Sequence, residues 1–172
     1  DFGRVTDIFA TEWAFVALRQ VHGEGFCWGS GLYGGSCNDE DFMGVTDIFA
    51  SGMEFLALRQ ALGDGFCWGT GGHCGDQDFQ GVTDVFSNDE AFVALRKDRG
   101  EGFCWSTGER VHWAQSPSAS CADPVQGVQV DFADVTDVVS NKYAFLALRK
   151  AHGEGFCWGT GFTSDLIDYG GI

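Results

Sequence analysis

Three short apolar segments, Val5-Thr6-Asp7-Ile8-Phe9, Phe15-Val16-Ala17-Leu18-Arg19 and Gly25-Phe26-Cys27-Trp28, decide the fold of this chain. Each is rich in β-branched or aromatic side chains, which is the composition of β-strands. Gly23-Glu24-Gly25 stands between the second and third segments, and glycines on either side of an acid are typical of a tight turn. The stretch therefore predicts three strands, the last two of them joined by a short hairpin.

The same stretch occurs four times in the 172 residues. Each copy opens with Asp-Phe, two variable residues and Val-Thr-Asp, which divides the chain into the units 1–40, 41–77, 78–130 and 131–172. The stretch from the first Asp to the Trp is 28 residues long in every unit, both ends included, and the lengths differ only after that Trp. A constant stretch followed by a variable one predicts a packed framework with connecting loops, so we expect a single repeat domain over residues 1–172.

A short helix is the alternative for the second segment. Ser51 and Glu54 have the spacing of a helix capping box, and Met53–Ala61 followed by Gly63 has the length and the glycine end of a short helix. The third unit repeats the box, but the first and fourth lack it. In those two units the segment is apolar on all sides, as in a strand covered on both faces, so the pattern favours strands.

Three of the units end their third segment in Trp-Gly, at Trp28-Gly29, Trp68-Gly69 and Trp158-Gly159, whereas Ser106 follows Trp105. Together with Ala-Leu-Arg and the glycine turn, this motif resembles the regulator of chromosome condensation type of repeat, in the compact form of repeat-rich microalgal, especially dinoflagellate, and bacterial proteins. The resemblance covers the whole chain. It implies an all-β fold in which four compact repeats are blades of a partial or small β-propeller, with the strand that starts near Val5 closest to the axis.

The number of units departs from that family, whose closed propellers usually have seven blades. Four blades would form an open fan, or a wheel completed by another chain or by residues beyond this sequence. An open end exposes a strand edge or an apolar blade face, and such a surface invites a partner.

The charge balance excludes several kinds of partner. Ten Lys and Arg against 25 Asp and Glu give a net charge of −15, which repels phosphate backbones and anionic lipids. We therefore expect no nucleic acid partner, and we do not carry over the family's chromatin docking.

No apolar run approaches the length that spans a bilayer, so we expect no direct membrane insertion. The chain begins without Met, so either a targeting segment has been removed or the chain is part of a longer one.

Seven cysteines suggest an oxidising compartment. If each loop cysteine bonds within its own unit, the bridges are Cys27 to Cys37, Cys67 to Cys74 and Cys104 to Cys121, which leaves Cys157. If each bonds to the next unit, the bridges are Cys37 to Cys67, Cys74 to Cys104 and Cys121 to Cys157, which leaves Cys27. Short hairpins bring their own strands together, which favours the first set. Seven reduced thiols are the remaining alternative.

Metal and catalytic motifs are weak. Cys67, His73 and Cys74 offer three zinc ligands but lack the paired Cys-x-x-Cys spacing, so we expect no metal. No nucleophile elbow, phosphate-binding lysine loop or oriented Cys-His pair is present, so we expect neither an enzyme nor a cofactor. The Arg of Ala-Leu-Arg is the basic residue at a fixed offset in every unit. We expect these arginines to pair, within or between blades, with the Asp that follows Val-Thr, namely Arg19, Arg59, Arg96 and Arg149 with Asp7, Asp47, Asp84 and Asp137.

These observations favour a non-catalytic structural or protein-binding subunit, an accessory component of a larger complex, in an oxidising compartment such as the thylakoid lumen or the exterior of the cell. A lumenal accessory subunit of a photosynthetic membrane complex, peripheral to the membrane, is a narrower alternative implied by the microalgal resemblance. A regulator or exchange factor of a small GTPase is the alternative from another class. The third loop outgrows the repeat, so we expect partner contact there, through Arg110, Val111, His112, Trp113, Pro117 and Pro124.

Overall fold

Twelve antiparallel strands account for about half of the residues that the computed structural model describes, which are 3–71, 74, 77–107, 120–122 and 129–159. They form four three-stranded sheets, one in each repeat, and the chain order of the strands is also their order in each sheet. We call the sheets blades 1 to 4. The strands are β1 (Asp7–Ala10), β2 (Ala14–Arg19), β3 (Glu24–Gly29), β4 (Asp47–Ala50), β5 (Glu54–Arg59), β6 (Asp64–Gly69), β7 (Asp84–Ser87), β8 (Ala91–Arg96), β9 (Glu101–Ser106), β10 (Asp137–Ser140), β11 (Ala144–Arg149) and β12 (Glu154–Gly159).

The all-β fold and the propeller-type blades predicted from the repeat are confirmed. The three segments of the first repeat lie in β1, β2 and β3, with bounds that differ from the expected ones by one or two residues. The helix alternative for Met53–Ala61 is wrong, because β5 occupies most of that stretch and pairs with strands on both sides.

The turn between the first two strands of each blade explains the capping motif. Ser51 Oγ accepts the amide N–H of Glu54 at 3.0 Å, which is the bond that a helix cap makes, but here it closes a β-turn. Oxygens of Thr11, Asn88 and Asn141 accept the N–H three residues ahead in the other blades. A side-chain oxygen at this position therefore fixes the first hairpin of every blade.

The second turn of each blade depends on glycine. Gly23, Gly63, Gly100 and Gly153 have φ between 63° and 69°, in the left-handed region that costs other residues free energy. This turn sets the register of the following hairpin, in which Phe15 is opposite Trp28 and Arg19 is opposite Glu24. The same register recurs in the other three blades.

The chain divides into two compact units. Blades 1 and 2 belong to the first, Asp1–Gly81 with Thr107–Glu109, and blades 3 and 4 to the second, Val82–Ser106 with Arg110–Ile172. Each unit has its own apolar core, formed where one blade packs on the next. In the first unit the core includes Val16, Leu18, Phe55 and Trp68. In the second unit the corresponding residues are Val93, Leu95, Phe145 and Trp158.

A phenylalanine ahead of the second blade of each unit completes these cores. Phe42 lies over Gly25, where an added Cβ would be 2.4 Å from the ring, and it meets Trp68 edge-on with centroids 5.5 Å apart. Phe132 lies in the same way over Gly102 and meets Trp158 edge-on at 5.9 Å. Glycine is needed at this strand position because the ring of the following repeat occupies the place of a side chain.

Candidate protein-binding surface

The two faces of each blade differ in composition because side chains alternate along a strand. In blade 1, Ile8, Phe15, Phe26 and Trp28 share one side, which we call the aromatic face. The opposite side carries Ala14, Val16, Leu18 and Cys27, with Phe9 beside them, and we call it the aliphatic face. The same offsets define both faces in blades 2 to 4. At the junctions inside the two units, the aliphatic face of one blade packs on the aromatic face of the next.

The stacked Phe and Trp of the aromatic face are buried in three blades and exposed in the first. In blade 2, Phe55 and Trp68 stack at 5.0 Å and are 0% and 4% exposed. In blade 1, Phe15 and Trp28 stack at 5.5 Å but are 44% and 37% exposed. Ile8 is 56% exposed, compared with 3% for Ile48 of blade 2. Blade 1 therefore presents a preformed apolar surface of the kind that marks protein interaction sites.

An arginine borders the aromatic face in each blade. The Arg19 guanidinium lies 4.5 Å from the centre of the Phe26 ring and pairs with Glu24 at 3.2 Å. Arg59, Arg96 and Arg149 repeat this arrangement with the acid of their own glycine turn. The expected pairing with the Asp after Val-Thr, within or between blades, is wrong, because each arginine pairs with the acid of its own glycine turn. Within a blade, the strand register keeps the two residues apart. Asp7 is opposite Leu18 and so belongs to the aliphatic side, whereas Arg19 is on the aromatic side.

The partners of that Asp are lysines where the sequence supplies them. Asp84 pairs with Lys97 at 2.9 Å, and Asp137 pairs with Lys150 at 2.7 Å. The lysine bond, together with a hydrogen bond from Thr136, lowers the pKa of Asp137 below its ordinary value. These pairs lie at the surface and contribute little to stability.

The aliphatic face of blade 4 is the second uncovered surface. Val139 is 53% exposed, and Leu146, Leu148 and Cys157 are half-buried. Leu146 stands at the offset of Val16 in blade 1 and Val93 in blade 3, and both valines are fully buried. A cleft of about 230 Å³ lies over this face, lined by Val139, Ser140, Asn141, Ala144, Phe145, Leu146 and Cys157.

Three disulfides tie each connecting loop to its own blade. They join Cys27 to Cys37, Cys67 to Cys74 and Cys104 to Cys121, which is the first of the two pairings that the sequence left open. Because Cys67 and Cys74 bond to each other, the zinc alternative loses two of its three candidate ligands, and His73 lies outside the described residues. The disulfides are consistent with an oxidising or extracellular compartment.

Cys157 is the one described cysteine without a disulfide. Its place in the blade is that of Cys27, so it lies on the aliphatic face of blade 4. Partial burial raises the pKa of this thiol above its ordinary value, because removal from water disfavours the thiolate. The thiol is therefore a weak nucleophile at neutral pH.

The long-loop residues expected to bind a partner, Arg110, Val111, His112, Trp113, Pro117 and Pro124, lie outside the described residues. Their role stays a prediction.

The sequence did not identify which blade has the uncovered aromatic face, because Ile8, Phe15, Phe26 and Trp28 are identical to their counterparts in blade 2. The four-unit count was the available signal, since it predicts an apolar face at an open end.

A second cleft lies at the turn end of blade 1. It has a volume of about 320 Å³ and is lined by Gly3, Arg4, Arg19, His22 and Glu24. The Nη1 atom of Arg4 lies 3.3 Å from Nε2 of His22, and the Arg19 guanidinium forms an ion pair with Glu24. Glu24 compensates part of the positive charge, so this cleft is a weaker candidate for a binding site than the aromatic face.

Within the part of the chain that the structure describes, no cluster of three or more His, Cys, Asp or Glu residues has the geometry of a metal site.

Comparison with known proteins places this fold among the β-propellers. No protein-family model matches the chain, and no curated protein does. The chain is similar to the CRINKLY WD40 ectodomain of the Arabidopsis thaliana receptor kinase ACR4, with 16% identity and a TM-score of 0.59 over 94% of this chain and 53% of that one. It is also similar to the ectodomain of the Physcomitrella patens receptor kinase CR4, with 18% identity and a TM-score of 0.60 over 94% and 40%.

A third similar structure is Prp20p of Saccharomyces cerevisiae, with 13% identity and a TM-score of 0.56 over 95% of this chain and 49% of that one. The chain thus spans about half the length of these structures or less. At such identities the likeness shows the fold alone. Two of the three are receptor ectodomains, and the third is described with its binding to Gsp1p and histones.

Among the described residues, none of the helices has the length and apolar character needed to cross a membrane.

Proposed function

We propose that this chain is a non-catalytic protein-binding subunit, an accessory component of a larger complex. The observation that carries the proposal is the exposed aromatic face of blade 1, whose counterparts in the other three blades are buried. Removing a large apolar side chain from water contributes about 1.5–3 kcal/mol, so covering several of them supplies substantial affinity. A partner that covers Phe15 and Trp28 restores the environment that the same residues have in blade 2.

The composition of the face suits protein recognition. Trp and Arg are enriched among the residues that dominate binding energies at protein interfaces. Trp28 stacks on Phe15 in the exposed cluster, and the Arg19 side chain, 19% exposed, lies at its border on Phe26. The arginine is held by Glu24, so the surface is ordered before a partner arrives and loses little conformational entropy on binding.

The long third loop is the second contact that we propose. It is the segment that outgrows the repeat, and it contains Trp113 and Arg110 in a stretch with both prolines of the chain. Loops that extend from a rigid repeat framework commonly carry specificity. Deleting residues 109–123 tests this contact, because an unchanged capture of the partner would contradict it.

The cysteines support a proposal about the compartment. Three disulfides within a chain of 172 residues favour an oxidising environment, which agrees with the secreted or lumenal location expected from the sequence. A lumenal accessory subunit of a photosynthetic membrane complex is a narrower form of the proposal and rests on the microalgal resemblance of the repeat.

A regulator of a small GTPase is the second candidate function. The likeness to Prp20p favours it, since that protein is described with its binding to Gsp1p. The disulfides favour the accessory subunit instead, because a cytosolic regulator would keep its thiols reduced. A chain with all seven cysteines reduced in its native source would reverse this preference.

Photo-crosslinking tests the accessory-subunit proposal. Benzoylphenylalanine replaces Phe15 on the aromatic face, and in a control variant it replaces Val21, which is 86% exposed in the turn between β2 and β3. After irradiation in an extract of the producing cells, we expect protein adducts at position 15 and a much lower yield at position 21. Equal yields at the two positions would contradict a binding role for this face.

A further inference from the structure

We propose that the aromatic face of blade 1 binds a second copy of this chain, through the aliphatic face of that copy's blade 4. The inference rests on the proposed protein-binding function and names the partner of the same surface. It follows from the two blade junctions inside the molecule, which show what each kind of face packs against.

The two junctions are built alike. At the junction of blades 1 and 2, Val16 and Leu18 pack with Phe55 and Trp68. At the junction of blades 3 and 4, Val93 and Leu95 pack with Phe145 and Trp158, which have the same offsets in their repeats. The pairing of an aliphatic face with the following aromatic face is therefore a general property of this repeat.

Blade 1 has the receiving surface of such a junction. Its aromatic face consists of Ile8, Phe15, Phe26 and Trp28, and blade 2 has the same four amino acids at these offsets, where Val16 and Leu18 pack against them. The Phe15 and Trp28 rings are already stacked, and Arg19 is already placed over Phe26. An aliphatic face that fits blade 2 therefore fits blade 1 without rearrangement of the aromatic side chains.

Blade 4 has the complementary surface. Ala144, Leu148 and Cys157 stand where blade 1 has Ala14, Leu18 and Cys27. Leu146 replaces Val16, and its cross-strand neighbour Val139 replaces Phe9. These five side chains stay apolar, and the cleft of about 230 Å³ above them leaves room for an aromatic residue of the second copy.

The charges at the edge of the junction also agree. Where blade 3 meets blade 4, Asp89 donates its N–H to the carbonyl of Lys142, and its carboxylate pairs with the Lys142 ammonium at 3.2 Å. Where blade 1 meets blade 2, Glu12 donates its N–H to the carbonyl of Gly52 in the same way. At a junction between copies, these offsets bring Lys142 of one copy to Glu12 of the next. The pair again joins a base to an acid, and two copies of one face would not achieve this.

The contact is head-to-tail, because it joins two different surfaces. Such contacts close into rings when the rotation between copies permits and otherwise extend into filaments. Each copy added covers one aromatic face and one aliphatic face. The contact therefore explains both uncovered surfaces with one kind of junction.

Complementation between two variants tests the proposal. Phe15→Glu blocks the aromatic face and Val139→Glu blocks the aliphatic face, and both positions are exposed, so the monomers are expected to fold. We expect the wild type to sediment at a multiple of the 18.6 kDa monomer and each variant at the monomer mass. An unpaired charge in the contact should weaken association at least about 30-fold. An equimolar mixture should recover a species of two copies, since each variant retains the face that the other lacks.

The controls distinguish the remaining outcomes. Val21→Glu adds the same charge at a position away from both faces and should assemble like the wild type, while circular dichroism verifies the folding of all variants. A monomeric wild type at about 100 μM, or a multimer that both variants retain, would overturn the proposal. So would a mixture that stays monomeric, because it would indicate a symmetric contact. If the wild type is monomeric while position 15 still crosslinks to another protein, the self-association is wrong and the protein-binding function stands.

Discussion

Blades 1 and 2 present the same aromatic face in two environments. Ile8, Phe15, Phe26 and Trp28 match Ile48, Phe55, Phe66 and Trp68 in identity and register, and the stacked Phe and Trp rings are within 0.5 Å of the same separation. Only the second set is covered, by Val16 and Leu18 of the preceding blade. Burial in this fold is therefore decided by the neighbour, because a repeat packs only on the repeats beside it.

The comparison explains why the exposed face keeps its geometry. Within blade 1, the cross-strand pair Phe15 and Trp28 and the Arg19–Phe26 contact are internal to one sheet. They do not require a preceding blade. Because these side chains are already ordered, a partner that binds them loses little free energy in fixing their conformation.

Truncating the same phenylalanine in the two blades should give the largest difference. Phe55→Ala removes a fully buried ring and should lower the free energy of unfolding by about 3–5 kcal/mol, through lost burial and the cavity left behind. Phe15→Ala should cost less than about 1 kcal/mol in the monomer, because that ring is already 44% exposed. Urea unfolding at a concentration where the chain is monomeric provides the measurement. Similar losses in the two variants would mean that blade 1 is covered in solution.

Removing a disulfide should have the next largest effect, and it compares the first blade with the last. The double variant Cys27→Ser/Cys37→Ser opens a loop with a sequence separation of ten residues and should lower the free energy of unfolding by about 2–3 kcal/mol. Cys157→Ser breaks no bridge and should change it by less than about 1 kcal/mol. Mass spectrometry of alkylated native protein should show one modified thiol, at Cys157, and seven after reduction. More than one adduct before reduction would contradict the three bridges.

Gly25, which lies beneath the Phe42 ring, provides a third comparison. Gly25→Ala places a Cβ 2.4 Å from the Phe42 ring, and the ring must move away from Trp68 to accommodate it, at a cost of about 1–3 kcal/mol. Gly31→Ala is the matched control, because its added Cβ meets nothing within 4 Å. Thermal unfolding should show a lower midpoint for the first variant than for the second. An unchanged midpoint for Gly25→Ala would mean that Phe42 does not hold blade 2 on blade 1.

The strands were predictable from the sequence because their signals are local. The β-branched and aromatic composition, the glycine turn and the constant spacing predict the three strands of a blade without knowledge of what surrounds them. The capping motif at Ser51 was ambiguous for a local reason as well. The same oxygen-to-amide bond closes the first turn of a helix and a β-turn, and the pairing of β5 on both sides decides between them.

The ion pairs and the uncovered face needed more than local signals. The partner of Arg19 depends on the strand register, which places Glu24 on its side of the sheet and Asp7 on the other. The exposure of Phe15 depends on what packs against blade 1, and the residues of blade 1 do not encode this. Identical residues in blade 2 are buried, so composition alone could not separate the two sites.

The smallest expected effect concerns Asp131, which holds the arginine beside a buried aromatic face. Its carboxylate accepts the N–H of Ala133 and lies 2.6 Å from the Arg149 guanidinium, and the two contacts, in that order, lower the pKa of Asp131 below its ordinary value. A carboxyl group with a lowered pKa in the folded state stabilises the protein fully above the pKa of the unfolded chain, near 4, and loses that contribution as the pH falls through the folded value. Asp131→Asn keeps an oxygen for Ala133 but cannot titrate, so its unfolding midpoint should fall less steeply than that of the wild type between about pH 5 and pH 2.

A high salt concentration distinguishes the two contacts, with Ala133 and with Arg149, that lower the pKa of Asp131. At about 1 M NaCl the ion pair with Arg149 is screened while the hydrogen bond from Ala133 remains, so the difference between the two pH profiles should shrink without vanishing. Profiles with the same slope at low salt would mean that Arg149 is held without the Asp131 carboxylate. In that case the bonds from Arg149 to the Ala133 and Asp131 carbonyls and to Glu154 hold the guanidinium over Phe156. Blade 4 would then resemble blade 1, where Arg19 is held over Phe26 with Glu24 as its partner.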